Sequence, residues 1–165
     1  MFKPLTRVLL VGLLALLVGC KTTEAPRDYK TMRARFFLEA ASGDGTPITL
    51  PQSGVHVTVN SKPVLTEGDI TNVELVQVEL GKCLFFQLTP TATRDFYRMS
   101  VSHQGRRMVL VVDDRPLGAR RIDGAITNGV VYIFAEVPEA DLPALVDNLK
   151  KTSVAVQREI VRKGG

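Results

Sequence analysis

Apolar residues along this chain follow two rhythms, with one unbroken apolar run ahead of both. That run, Val8 to Val18, follows Lys3 and Arg7 and is too short to cross a bilayer as a permanent helix. Residues 21–32 are polar, contain Pro26 and show no periodic apolar face. A period of two then takes over. Phe36, Phe37 and Leu38 mark a strand within 35–40, and the Ser-Gly-Asp-Gly-Thr-Pro cluster at 42–47 reads as a loop. Val55, Val57 and Val59 share one face of the next strand, Asn60 to Pro63 reads as a turn, and Val64-Leu65 starts a short return segment. Ile70 to Leu80 alternates with one irregularity near Leu75, read as a bulge, before Gly81-Lys82 turns the chain into Cys83 to Leu88.

The rhythm changes to the helical period at Thr89-Pro90, a hydroxyl cap followed by a proline whose missing N–H costs nothing at the first helical position. Ala92, Phe96, Met99 and His103 then fall on one face, and Gly105 ends the helix. Met108 to Val112 is continuously apolar, which predicts an interior strand, and Asp113-Asp114-Arg115-Pro116 turns it. Ile122 and Ile126 mark buried positions in short extended pieces; Asn128-Gly129 predicts a hairpin turn into a strand at 130–135. A second helix is expected at 141–150 with Leu142, Leu145, Val146 and Leu149 inward, followed by a strand through Val154, Val156 and Ile160. This order predicts an α+β domain, ferredoxin-like, with a mostly antiparallel sheet and two helices packed on one face.

Composition narrows the function classes. The chain has 165 residues, with 21 Lys+Arg against 17 Asp+Glu. Without Lys3 and Arg7 of the leading segment the balance falls to +2, too mild for nucleic acid, which needs a dense basic stripe. The leading segment itself has the basic, apolar and small-residue layout of a secretory signal. Its last four residues, Leu17-Val18-Gly19-Cys20, resemble the lipobox of bacterial lipoproteins. That resemblance implies cleavage between Gly19 and Cys20 and an acylated Cys20, with two or three chains holding the protein on a membrane where one would not. An ordinary signal peptide with an incidental Cys20, or an uncleaved signal anchor, is the alternative. The expected organisation is a signal at 1–19, a lipidated cysteine with a flexible tether at 20–32, and a globular domain at 33–165. Lys21 follows the cysteine in place of the aspartate that typically retains lipoproteins in the inner membrane, which favours the outer membrane of a Gram-negative cell envelope, with the domain facing the periplasm.

Lipidation of Cys20 leaves Cys83 without a disulfide partner, and its place in an apolar strand predicts a buried, inert thiol. Catalysis finds little support. His56 alternates with valines, His103 sits on the last turn of a helix, and Ser53-Gly54 and Ser100 lack the context of a nucleophile elbow. Asp113-Asp114 suits a turn better than a metal site. Gly43, Gly45 and Gly54 do not open a helix, so they make a poor phosphate cradle, and no cofactor or metal is expected. Arg106-Arg107 and Arg120-Arg121 are paired cations near strand ends; a solvated face is the simpler reading, and contact with a partner or lipid headgroup the functional one.

From about Arg33 to Lys150 the chain resembles the periplasmic head region of SecD, a subunit of the bacterial preprotein translocase accessory complex. The likeness is carried by Phe85-Phe86-Gln87-Leu88-Thr89 leading into the helix, by Gly105-Arg106-Arg107 and the run from Met108 to Asp114, by Ile122, Ile126 and Gly129, and by the helix of Glu139 to Lys150. These are core and turn positions, which speak to fold more than to function. SecD proper also carries transmembrane helices and a base subdomain that this sequence does not show. The resemblance therefore implies a head-like module without motor activity, a non-catalytic envelope binding or accessory protein contacting exported, unfolded polypeptide or Sec-type translocase components. Two other readings stay open: a structural or oligomerising lipoprotein, and an envelope enzyme assembled from His56, Asp113 and Glu136.

Overall fold

The computed structural model describes residues 28–41 and 44–164. The signal, Gly19, Cys20 and the tether up to residue 27 lie outside the described residues, as does Gly43. The element order is β1 (Ala34–Glu39), β2 (Thr46–Thr49), β3 (His56–Leu65), β4 (Ile70–Val78), β5 (Gly81–Leu88), α1 (Pro90–Ser102), β6 (Arg107–Val112), β7 (Arg115–Arg121), β8 (Val130–Ile133) and α2 (Leu142–Gly164). The fold is α+β with antiparallel pairing throughout, as expected. Its strands divide between two sheets, of order β2-β3-β1-β6-β7 and β4-β5-β8.

The main core lies between these sheets and both helices. Phe36 of β1 and Phe86 of β5 meet there edge to face, ring centres 5.1 Å apart, so one aromatic pair ties the two sheets together. On α1, Thr89 caps Ala92 N–H and Pro90 opens the helix, while Ala92, Phe96 and Ser100 turn inward. β6 is interior as expected, between β1 and β7. The Asp113-Asp114 turn has both residues at positive φ (48° and 64°), the backbone of a two-residue hairpin whose twist matches its strands.

Several local expectations are corrected. The predicted turn at Asn60 to Pro63 is the middle of β3, which passes without a break from pairing with β2 to pairing with β1. Its register slips against β1 between Phe36 and Glu39, so extra residues on β3 bend it, and the β2–β3 hairpin curls over the outer face of the sheet. Beneath the curl lies a second small core of Leu50, Val57, Val59 and Val109. Part of the loop predicted at 42–47 belongs to β2. The irregularity expected near Leu75 falls between Ile70 and Asn72. The β4–β5 hairpin turns at Glu79-Leu80, ahead of the expected Gly81-Lys82. Gly129 does take the positive φ of a turn (67°), yet no hairpin forms, since β8 crosses to pair with β5.

The largest correction concerns the end of the chain: the strand expected through Val154, Val156 and Ile160 is helix, and α2 runs unbroken to Gly164. Two buried polar residues, Thr152 and Ser153, interrupt its apolar stripe and hide the helical period. Thr152 Oγ1 donates to the Asn148 carbonyl inside the helix and accepts Met32 N–H at 3.1 Å. Residues 28–32, read as tether, are thereby strapped to α2: Lys30 N–H donates to Asn148 Oδ1 at 2.9 Å, and Asp28 lies 3.5 Å from Lys151 Nζ.

Candidate functional site

Edge strands are where a sheet accepts another chain, and here each edge has its own state. On β2, Pro47 stands opposite Thr58, whose carbonyl accepts Ala40 N–H on the β1 side. The alternation of a two-stranded ladder then turns Pro47 toward the outside, where it has no N–H to offer, so this edge is blunted. β4 is flanked by α2, and Gln157 Nε2 donates to the Ile70 and Gly68 carbonyls at 3.1 and 2.8 Å. The remaining edges, β7 and β8, meet at one point. Glu136 N–H donates to the Leu117 carbonyl at 2.5 Å, and a Cβ on Gly118 would lie 2.3 Å from the Phe134 carbonyl oxygen. Only glycine permits so close a backbone approach.

Beyond that junction the two strands splay apart. Leu117 O faces β8, whereas Ile122 exchanges bonds with Gly105 and Arg106 on the β6 side. By the same alternation the backbone of Ala119 and Arg121 faces the open side. A groove of about 450 Å³ occupies the gap, lined by Ala119 and Arg120 from β7, Tyr132 and Phe134 at the end of β8, and Leu80 and Cys83 from the β4–β5 hairpin. Leu80 is 85% exposed and Phe134 41%. Cys83 forms the floor and is buried; burial pushes its thiol up against the pull of Arg120, so it stays protonated and inert as a nucleophile.

The four arginines expected at a partner surface separate. Arg107 pairs with Glu39, Nη2 to Oε1 at 2.5 Å, and its own N–H donates to Glu39 Oε2 at 2.8 Å; that hydrogen bonding holds the Glu39 carboxyl below its ordinary range despite partial burial. Arg121 stands opposite Arg107, and Arg120 opposite Met108, so the Arg120-Arg121 pair is divided between the two faces of the sheet. Arg106 is half-buried just ahead of β6, and of the four only Arg120 lines the groove.

The residues of the enzyme reading have separate partners. His56 Nδ1 is hydrogen-bonded to the Thr49 hydroxyl (2.8 Å), Asp113 Oδ1 accepts Arg33 N–H (2.9 Å), and Asp114 pairs with Arg33. Glu136 accepts Gln52 N–H, Ser53 N–H and the Ser53 hydroxyl at 2.8, 2.9 and 2.6 Å, clasping the tip of the β2–β3 hairpin. His103 Nδ1 donates to the Met99 carbonyl, and the buried Ser100 hydroxyl bridges Tyr97 O and Ile126 N. Gly54 is a positive-φ turn residue, and Gly45 packs against the Val59 carbonyl. Among the described residues no group of three or more His, Cys, Asp or Glu is placed to hold a metal, and no helix is long and apolar enough to cross a membrane.

Burial raises the Glu136 carboxyl, but the Ser53 and Gln52 hydrogen bonds outweigh it and leave the group below its ordinary 4.5. A depressed carboxyl contributes stability that is present above 4.5 and lost as pH falls through the folded value. The Glu136→Gln variant is therefore expected to melt lower than the parent at neutral pH and to lose less on acidification. Thermal melts along the acid limb check this; parallel curves for the two proteins would refute it.

No protein-family model matches the sequence, and no curated protein does. Solved structures do. The chain is similar to SecDF in its super-membrane-facing form, with 17% identity and a TM-score of 0.54 over 76% of this chain and 18% of that one. It is also similar to SecDF described as a membrane component that enhances protein export, with 15% identity and a TM-score of 0.57 over 94% of this chain and 70% of that one. The domain has a SecD-like fold. The SecD-like chain thus spans under a fifth of the first of those proteins. The likeness expected from Phe85–Thr89 and the Met108–Asp114 run falls on β5, the α1 cap, β6 and its turn, all of them scaffold of this fold. Leu80, Tyr132 and Phe134, which shape the groove, were not legible as a site; the only signal was an apolar leucine beside a turn glycine.

Proposed function

We propose that this SecD-like domain is a non-catalytic binding module of the bacterial cell envelope, held at a membrane by lipid on Cys20, that contacts exported polypeptide in an extended form. The observation that carries the reading is the opening between β7 and β8. Two edge strands diverge from the Gly118 junction and leave an apolar groove between them, a shape that offers a visiting strand backbone partners and side-chain pockets together. Arg120 adds a cation at its wall, and Glu79 and Asp123 add two carboxylates. Similarity in fold to SecDF, described as a membrane component that enhances protein export, supports a role in export. The separate engagements of His56, Asp113 and Glu136 weigh against an enzyme.

The test is titration of the full chain, in lipid nanodiscs, with a permanently unfolded polypeptide. Binding in the micromolar range is expected, weakened about tenfold by Leu80→Asp, since a charge placed in the groove forfeits roughly 1.4 kcal/mol or more of apolar contact. Tyr97→Ser, an exposed apolar residue on α1, serves as control and leaves binding unchanged. No binding at high micromolar polypeptide, or equal losses in both variants, would overturn the proposal. Self-association of the chain without polypeptide binding would favour the oligomerising reading.

A further inference from the structure

Gln157 fastens α2 to the start of β4, and the residues after it, 158–164, are exposed. Within that stretch Val161 is 75% exposed and shares the outer side of the helix with Arg158 and Arg162, whereas Ile160 continues the inner stripe toward Gly68; Lys163 is the third cation and Glu159 the one acidic residue. Lys163 pairs with Glu159 at 2.6 Å, which leaves the stretch at +2. An exposed apolar side chain between cations on one side of a helix is suited to settle into a headgroup layer. Lys150 and Lys151, farther back, pair with Glu74 and with Asp28 and Asp147, so they add little to this field.

The path of the N-terminal strap places this helix end near the proposed anchor. Asp28 and Tyr29 share one surface hollow with Val154 and Arg158. Asp28 is eight residue steps from Cys20, a reach of at most about 28 Å. From Lys151, which meets Asp28, to Val161 is ten helical residues, roughly 15 Å. The leash is therefore long enough for the helix end to touch the bilayer that holds Cys20, and short enough to keep it close.

We infer that the outer side of the last two turns of α2 lies on the membrane, with Val161 at the headgroup boundary and Arg158 and Arg162 on acidic phospholipid. The inference rests on lipidation of Cys20. It fixes the orientation of the domain by two points, the acyl chains and the helix end.

The experiment uses the full acylated chain in vesicles of phosphatidylcholine with or without phosphatidylglycerol. A fluorophore is placed at Val161→Cys or, as control, at Leu80→Cys; Cys83 is buried and stays unlabelled in the folded protein. Brominated lipids are expected to quench the label at 161 several-fold more than the label at 80, more strongly with phosphatidylglycerol present, and less in an Arg158→Glu/Arg162→Glu background. Equal quenching at both positions, or none at 161, in a chain whose mass shows acylated Cys20 overturns the inference and leaves the anchor standing. A chain that neither floats with vesicles nor carries lipid on Cys20 brings down the anchor and the inference together.

Discussion

Phe36→Ala is expected to lower the unfolding free energy by about 3–5 kcal/mol, the usual cost of emptying a large buried aromatic site. A domain of this size is stable by only about 5–15 kcal/mol, so the loss is a large share of the total. Phe36 is fully buried and its ring meets Phe86 across the gap between the sheets. β1 and β5 share no ladder, so the cavity cannot be closed by sliding one strand along the other. Denaturant unfolding measures the effect. A loss under about 1 kcal/mol would mean that the sheets are held mainly elsewhere. Phe85→Ala is the comparison, because Phe85 is half-buried on the opposite face of β5, where it stacks edge-on with Tyr132.

Gly118→Ala is expected to cost about 1–3 kcal/mol and to disturb the groove as well as the fold. The added methyl would sit 2.3 Å from the Phe134 carbonyl oxygen and 2.9 Å from the Ile133 side chain, so β7 and β8 must separate. Separation breaks the bond from Glu136 N–H to Leu117 O and shifts Glu136, whose carboxylate clasps Gln52 and Ser53. The same substitution at Gly124, where a Cβ meets nothing, is expected to be near neutral. Amide exchange separates the two cases: protection at Glu136, Gln52 and Ser53 falls together in Gly118→Ala and is retained in the control. Independent loss at only one of these amides would show that junction and clasp are not coupled.

The places where sequence reading succeeded share a physical basis. The Thr89-Pro90 helix start, the Asp113-Asp114 turn, the apolar interior of β6 and the buried Cys83 each depend on the preference of a residue for its own backbone or for burial. Where it failed, a distant partner decided. Residues 60–63 look like a turn locally, yet β1 and β2 pull them into one bent strand. Thr152 and Ser153 look like the end of a helix, yet a buried contact with the N-terminal strap keeps Thr152 inside one. The groove was invisible for the same reason: Leu80, Arg120 and Phe134 belong to three separate segments.

The sequence by itself determined the α+β class, the elements with strong local signals, and the fold resemblance, because alternation, caps and turn chemistry are short-range consequences of side-chain shape and burial. Tertiary structure alone decided that the strands would divide into two sheets, that α2 would continue past Lys150, and that β7 and β8 would part to leave an opening. Those outcomes turn on contacts between residues far apart in the chain, such as Phe36 with Phe86 and Gly118 with Phe134, whose energies no local pattern contains.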